Sequence, residues 1–370
     1  MSPAAHLPLT IVADDLTGAC DTGALFAARG PVPVTVWPDP PLHAPVGVVD
    51  TESRALNPVD AARRVSGVAR NLARTRFFKK IDSTLRGPIG AEIDALLRAT
   101  SSPGALVCPA LPAEHRVVVE RVLLVGAQPV AETPIAEDPT FPRAAGTSNI
   151  VDLLRPQLDR PFAWIPLGRV REGGSPLAAR LVRLAGMVIV ADAETDADLD
   201  ALIEAVLELD APPLLVGAAG LALALARRLG LAAARVDAPA GERWLIVAGS
   251  QHPATRRQVE AARDAGLMVL ATPDAPQADR ASAVAELAAQ ARARLDAERI
   301  DVAIVTGGET LVALYHALGA ERLDLEGAPR PGLALGRLRA PGRQPLAVVT
   351  KAGGFGEPDL FVSLVREAVA

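Results

Sequence analysis

The chain has 370 residues, half of them hydrophobic, with a formal charge of −5 and a sequence pI near 5.7. That is enough apolar material for two ordinary domains, while the acidic balance and 3% aromatic content supply neither a basic field nor a stacking surface for nucleic acid. The opening MSPAAHLPLTIVADDL lacks a basic leader region, and the longest apolar run, 212–226, falls short of the roughly 18 residues a spanning helix needs, so the sequence predicts a cytoplasmic protein with no membrane partner.

In chain order, LTIVADDLTGACDTGALFAARG (9–30) reads as a buried strand, a loop with paired acids and a helix ending at Gly30. VTVW (34–37) and VGVVD (46–50) read as strands, 57–73 as a helix, FFKKID as a short strand, and GPIGAEIDALLRAT as a helix with proline at its start. Strands GALVCPAL and MVIVADAE, a helix near 196–208, then PPLLVGAAG and LALALARRLG continue the alternation. The period lapses near 232–243 and restarts with strand WLIVAGS, helix TRRQVEAARDAG, strand LMVLAT, a helix near 280–298, strand DVAIVTGG, helix ETLVALYHALG and strand LAVVTKAGG. The pattern predicts an α/β fold of two domains, 1–235 and 240–370, with mainly parallel sheets and a ligand cleft between them.

Two cysteines, Cys20 and Cys108, are too few for a disulfide framework or a four-ligand zinc site and read as core thiols. Lysine is scarce: of 38 basic residues only Lys79, Lys80 and Lys351 are lysines, and all three fall in motif-like loops. A compact ammonium does chemistry there that a planar guanidinium does not.

Ligands of α/β sheets bind outside the carboxyl ends of strands, so the residues just after each strand are the candidates. In the first half these are Asp14, Asp15, Thr17 and Asp21; Asp50, Thr51, Ser53 and Arg54; and Lys79, Lys80, Asp82, Ser83 and Arg86. Cations for a carboxylate beside acids and hydroxyls for alcohols suit a small polyhydroxylated acid. In the second half they are Gly249 and Ser250; Thr306, Gly307, Gly308, Glu309 and Thr310; and Thr350, Lys351, Gly353, Gly354 and Gly356. Glycines admit phosphate oxygens to backbone N–H groups, and a following helix N-terminus favours the charge. Neither GxxxxGK[ST] nor GxGxxG occurs in these loops. An acid site on one domain and a phosphate site on the other is what a small-molecule kinase requires.

The motifs ADDLTGACD, DTESRAL, KKIDSTLRGPIGAEIDALL, VGAAGLALALA, TGGET and TKAGGFGEPD, in this order, resemble the four-carbon acid sugar kinases, a family formerly classed as a domain of unknown function. The resemblance spans nearly the whole chain. It implies ATP-dependent phosphorylation of a hydroxyl of a tetronate-type acid (threonate, erythronate or 3-oxo-tetronate), in carbohydrate metabolism. It also implies acid binding in the first domain through Asp14, Asp15, Arg54, Lys80, Asp82, Ser83 and Arg86, with Asp14, Asp15 or Asp82 as the base. ATP contacts fall on Ser250, Gly307, Gly308, Glu309, Thr310, Lys351, Gly353 and Gly354. The chain departs from the family pattern in PALPAEHR (109–116), where Glu114 and His115 replace small residues, and in GSQHPAT, with Gln251 and His252.

No His/Cys/Asp cluster has metal-ligand spacing, so the metal expected is Mg²⁺ carried with ATP. A homodimer is the assembly allowed for. Taken singly, Asp14 and Asp15 read as helix caps, Lys80, Asp82 and Arg86 as a surface ion-pair network, and the glycine turns as turns; taken together they read as two half-sites. His316 reads as a packed or surface residue, His252 as a turn residue, and His115 as open between solvent and substrate. Two readings from other classes stay open: a binding or sensor protein that holds acid and nucleotide without transfer, and an oxidoreductase, which the missing GxGxxG counts against. A kinase for a different small hydroxy acid is the nearest alternative.

Overall fold

The structure is a computed structural model that describes residues 8–369, apart from 40–41, 71, 73–74, 101, 143–145 and 274–279. The segment 1–7 and part of the helix expected to 73 lie outside the described residues. The strands in chain order are β1 (Leu9–Ala13), β2 (Val32–Val36), β3 (Val46–Asp50), β4 (Arg76–Lys80), β5 (Ala105–Cys108), β6 (Arg116–Val119), β7 (Val122–Val125), β8 (Gln128–Pro129), β9 (Phe162–Ile165), β10 (Val188–Ala191) and β11 (Leu214–Gly217). Then follow β12 (Trp244–Ala248), β13 (Met268–Ala271), β14 (Val302–Thr306), β15 (Arg322–Gly327), β16 (Leu333–Arg339) and β17 (Leu346–Lys351). The helices used below are α1 (Leu16–Ala24), α2 (Pro58–Arg70), α3 (Ile89–Thr100), α4 (Pro253–Asp264), α5 (Gly308–Ala317) and α6 (Leu360–Val369).

The chain forms two compact units, each α/β: Met1–Asp15 with Pro40–Ala232, and Leu16–Asp39 with Ala233–Ala370. In the first, the strand order β3-β1-β4-β11-β5-β10-β9 is parallel throughout. Parallel strands are covered on both faces, and β1, LTIVA, is buried at every position, as an unbroken apolar run requires. The antiparallel strands β6, β7 and β8 form a separate small sheet. Its turn puts Glu120 and Arg121 in the left-handed region, where their amides donate to the buried Asp192 carboxylate at 2.9 and 3.0 Å.

The second unit orders its strands β13-β12-β14-β17-β16-β15-β2, of which the first four are parallel. β16, β15 and β2 are antiparallel additions. β15 and β16 are absent from the sequence reading because RLDLEG and LALGRLR carry charges on strands. The structure pairs those charges, with Arg322 Nε 3.0 Å from Asp324 Oδ1 and Arg339 on its Oδ2. Helix α1, which follows the paired acids in sequence, belongs to this second unit. The unit's core packs Trp244, Ile246, Val259, Ile304, Val349, Phe361 and Leu364 between the sheet and the helices α4 and α6. Cys20 and Cys108 are free and buried, and burial pushes the Cys108 thiol up to about 12, in keeping with core thiols.

Candidate functional site

In the first unit Ala13 of β1 is level with Asp50 of β3, Val12 with Lys79 of β4, and Lys80 with Gly217 of β11. The register therefore delivers Asp14, Asp15, the 51–54 loop and the 81–86 loop to one edge of the sheet. Arg54 joins them: Nε lies 2.7 Å from Asp14 Oδ2, Nη2 donates to Asp14 Oδ1 at 3.1 Å and to Asp15 Oδ1 at 2.5 Å, and Asp82 Oδ1 is 3.9 Å away. Asp82 is also gripped by Arg86, at 2.9 Å through Nε and 3.0 Å through Nη2, and accepts from the Thr84 hydroxyl. The Arg86 fork continues to Asp138 at 3.1 Å.

Burial works against ionisation of Asp14, but Arg54, with Lys79 and Lys80, holds its pKa below the usual carboxylate range. Asp82 is likewise opposed by burial and is held well below that range by Arg54 and Arg86. Asp50 is the reverse case. Burial, with Asp15, Glu52 and Asp14 nearby, raises it well above the ordinary value despite one bond from the Glu52 amide, and its Oδ2 has no hydrogen-bond partner.

The loops are tightly held. Glu52 and Leu85 adopt left-handed φ values of 45° and 63°, which side chains disfavour and which cluster at functional loops. Gly87, at φ 97°, lets its loop pass Arg54, whose Cα a Cβ there would meet at 3.4 Å. Ser83 accepts a hydrogen bond from Arg116. Lys80 is 6% exposed and its ammonium donates to the Ile81 carbonyl at 2.9 Å; no carboxylate lies within ion-pair distance of it among the described residues.

In the second unit, Ala248 of β12, Thr306 of β14 and Lys351 of β17 share one level, so the loops after them meet at one sheet edge. Gly249 and Gly353 are small of necessity: a Cβ on the first would run into Thr310 Oγ1, and on the second into Ser250 Oγ. Gly307, at φ 99°, turns the chain into α5, whose first residues are Gly308, Glu309 and the buried Thr310. Glu309 is exposed and pairs with Arg280 at 2.8 Å. His252 caps α4 through Nδ1, which accepts from Ala254 N at 3.1 Å, and its imidazole is 3.4 Å from where a Gly354 side chain would begin. Burial first, then Lys351 and Arg257, lower the His252 pKa.

Lys351 is fully buried, and its ammonium donates to Thr255 Oγ1 at 3.3 Å and to the carbonyls of Ala352 and Gly353 at 2.9 and 3.0 Å. Desolvation brings its pKa down to about 8. Gln258 holds the same loop by donating to the carbonyls of Phe355, Gly356 and Glu357 at 2.9, 2.9 and 3.0 Å.

Asp14, Asp15, Arg54, Lys80, Asp82, Ser83 and Arg86, the residues expected to bind the acid, thus fall within one unit, at one sheet edge. Ser250, Gly307, Gly308, Glu309, Thr310, Lys351, Gly353 and Gly354 fall on the loops of the other. Arg116, Asp138 and Glu92, which the sequence does not single out, contact residues of the first unit's loops. Their partners Ser83, Arg86 and Ser53 lie 33, 52 and 39 positions away, so no local spacing announces them. His115 is an exposed left-handed residue closing the short turn 112–114, which explains its place without a ligand.

Residues 9–225 match the profile of a sugar-binding N-terminal domain and residues 274–361 that of a nucleotide-binding C-terminal domain. The chain belongs to the four-carbon acid sugar kinase family. It is 36% identical to a D-threonate kinase of Bordetella bronchiseptica, over 95% of each chain. It is 33% identical to a D-threonate kinase of Salmonella typhimurium, over 95% of this chain and 96% of that one. To a 3-oxo-tetronate kinase of Methylobacterium radiotolerans it is 31% identical, over 96% and 98%.

Among solved structures, a Haemophilus influenzae protein shares the fold, with TM-score 0.75 at 24% identity over 96% of this chain and 99% of that one. A Bordetella bronchiseptica protein of 33% identity, covering 97% and 98%, superposes with TM-score 0.52 and was crystallised with citrate as a domain-swapped dimer.

Proposed function

We propose that the protein is a cytoplasmic kinase that transfers the γ-phosphoryl group of ATP to a hydroxyl of a four-carbon sugar acid of the threonate, erythronate or 3-oxo-tetronate type. The observation that carries this reading is the contrast between the two sheet edges: one crowded with acids, hydroxyls and cations, the other with glycines, hydroxyls and a helix N-terminus. The acid belongs to the loops of the first unit, residues within 1–235, and ATP to those within 240–370.

The ion pairs divide the labour on the acid side. Arg54 and Arg86 spend their forks on aspartates, which leaves Lys80 as the cation for the substrate carboxylate. Asp14 and Asp82 are held as weakly basic carboxylates. Asp15, with a side chain 22% exposed against 1% for Asp14 and 10% for Asp82, is the carboxylate placed to accept the substrate hydroxyl. Ser83, oriented by Arg116, and Arg86 supply further polar contacts.

On the nucleotide side, Ser250, the turn from Gly307 to Thr310, and Gly353 with Gly354 offer hydroxyls and backbone N–H groups to phosphate oxygens, while Lys351 shapes the loop from within. No cluster of three metal-ligating side chains occurs among the described residues. In this reading Mg²⁺ enters as the ATP complex and would neutralise phosphate charge. A homodimer is the assembly we propose.

The test is ADP release with MgATP against a panel of threonate, erythronate and 3-oxo-tetronate isomers, with longer aldonates included. Turnover on a four-carbon acid that is lost in Lys80→Ala supports the reading. Turnover confined to longer acids moves the substrate outside the four-carbon class. ATP binding without turnover on any acid replaces the kinase with a binding protein.

A further inference from the structure

We infer that Lys79 and Glu92 are positioning residues: a buried ion pair that sets the geometry of Arg54 and the paired aspartates. Both side chains are fully buried, and Lys79 Nζ lies 3.1 Å from Glu92 Oε2. The ammonium also donates to the carbonyls of Lys80 at 3.0 Å and Val12 at 3.3 Å. The other Glu92 oxygen accepts from the Ser53 hydroxyl. Ser53 Oγ lies 2.7 Å from Thr51 Oγ1, and Thr51 Oγ1 donates to the Ala13 carbonyl at 2.7 Å.

These contacts close a ring: Val12 and Ala13 at the end of β1, the 51–53 loop, the first turn of α3, and β4. Asp14 follows Ala13, Arg54 follows Ser53, and Lys80 follows Lys79, so three of the residues expected on the acid side spring from positions next to the ring. Alternation along β4 turns Lys79 and Lys80 to opposite faces, which separates the two lysines by role. Neither Lys79 nor Glu92 reaches the exposed edge of the loops, since both side chains are fully buried, and imposing one geometry on their neighbours is the role we assign to the pair.

The inference rests on the kinase reading only for its kinetic test. In folded Glu92→Gln and Lys79→Met we expect the KM for the acceptor acid to rise at least tenfold while the KM for ATP stays within twofold. A purely structural role would lower the active fraction and leave both KM values alone. Should the single variants fail to fold because one buried charge loses its partner, the double variant Lys79→Met/Glu92→Gln, with neither charge, is measured in their place, and the same split is expected.

Backbone amide hydrogen exchange gives a readout independent of turnover. Peptides covering 51–54 should exchange at least tenfold faster in the variants, and peptides covering 353–356 should not change. Wild-type acceptor KM together with unchanged exchange at 51–54 overturns the inference. Absence of turnover in the unsubstituted enzyme sinks the kinase reading, while the exchange experiment still decides the role of the pair.

Discussion

Arg54 holds two consecutive aspartates at once, with its guanidinium 2.7 Å from Asp14 Oδ2 and 2.5 Å from Asp15 Oδ1. Only a planar fork makes both contacts while its backbone amide bonds the Asp14 carbonyl at 3.2 Å. Arg54→Lys keeps the charge and loses the fork, and should reduce kcat/KM for the acid by about 10²-fold, the cost of misplaced reacting groups. Arg54→Met removes the guanidinium from the fully buried Asp14 and should cost about 3–5 kcal/mol of stability, read by urea unfolding. Wild-type kinetics in Arg54→Lys would remove Arg54 from the site.

Asp50 makes a prediction with a definite sign. Its folded pKa is raised by burial, so its contribution to stability is complete below the unfolded value of about 3.9 and is lost as pH rises through the folded value. Asp50→Asn imitates the protonated form. The variant should be more stable than the parent at pH 7, by on the order of 1 kcal/mol, and the difference should close as pH falls toward about 4. Urea unfolding across that range checks it; a variant less stable at pH 7 contradicts the assignment.

Lys351 loses its proton near pH 8 in the folded protein, against 10.5 ordinarily, because it is desolvated. A lowered lysine pKa destabilises while the ammonium is charged and buried, so this lysine's contribution makes the fold gain stability as pH rises above about 8. Nucleotide affinity should move the other way. The ATP Kd is expected to rise several-fold between pH 7.5 and 9, and Lys351→Met should flatten that dependence. Calorimetric titration at fixed ionic strength measures both.

The close approaches at Gly249 and Gly353 leave no room for a methyl group beside Thr310 and Ser250. Gly353→Ala and Gly249→Ala should each weaken ATP binding by about tenfold, the loss of roughly one aligned hydrogen bond to a charged phosphate, and leave the acceptor KM nearly unchanged. If crowding is the cause, Gly353→Ala should cost less ATP affinity in a Ser250→Ala background, measured against Ser250→Ala itself, than it does in the parent. A rise in acceptor KM of equal size would show that the loop serves the acid instead.

The alternation of apolar strands with helices, the strand-end placement of Asp14, Arg54, Lys80 and the glycine turns, and the family are all legible in the amino-acid order. Hydrophobic period and turn residues are local signals, and a parallel α/β sheet exposes the carboxyl ends of its strands whatever the details. Tertiary structure decided what those residues do to one another. Lys79 and Lys80 are adjacent, identical and both buried, yet Lys79 pairs with Glu92 while Lys80 donates to the Ile81 carbonyl with no carboxylate at ion-pair distance among the described residues, because strand alternation sends them to opposite faces. Glu92, Arg116 and Asp138 reach partners 33 to 52 residues away, and β15 and β16 pair Arg339 with Asp324 and Arg337 with Glu326 across the two strands. Helix α1 follows Asp15 without a break yet packs with the second unit, because packing is chosen by complementary faces and not by order along the chain.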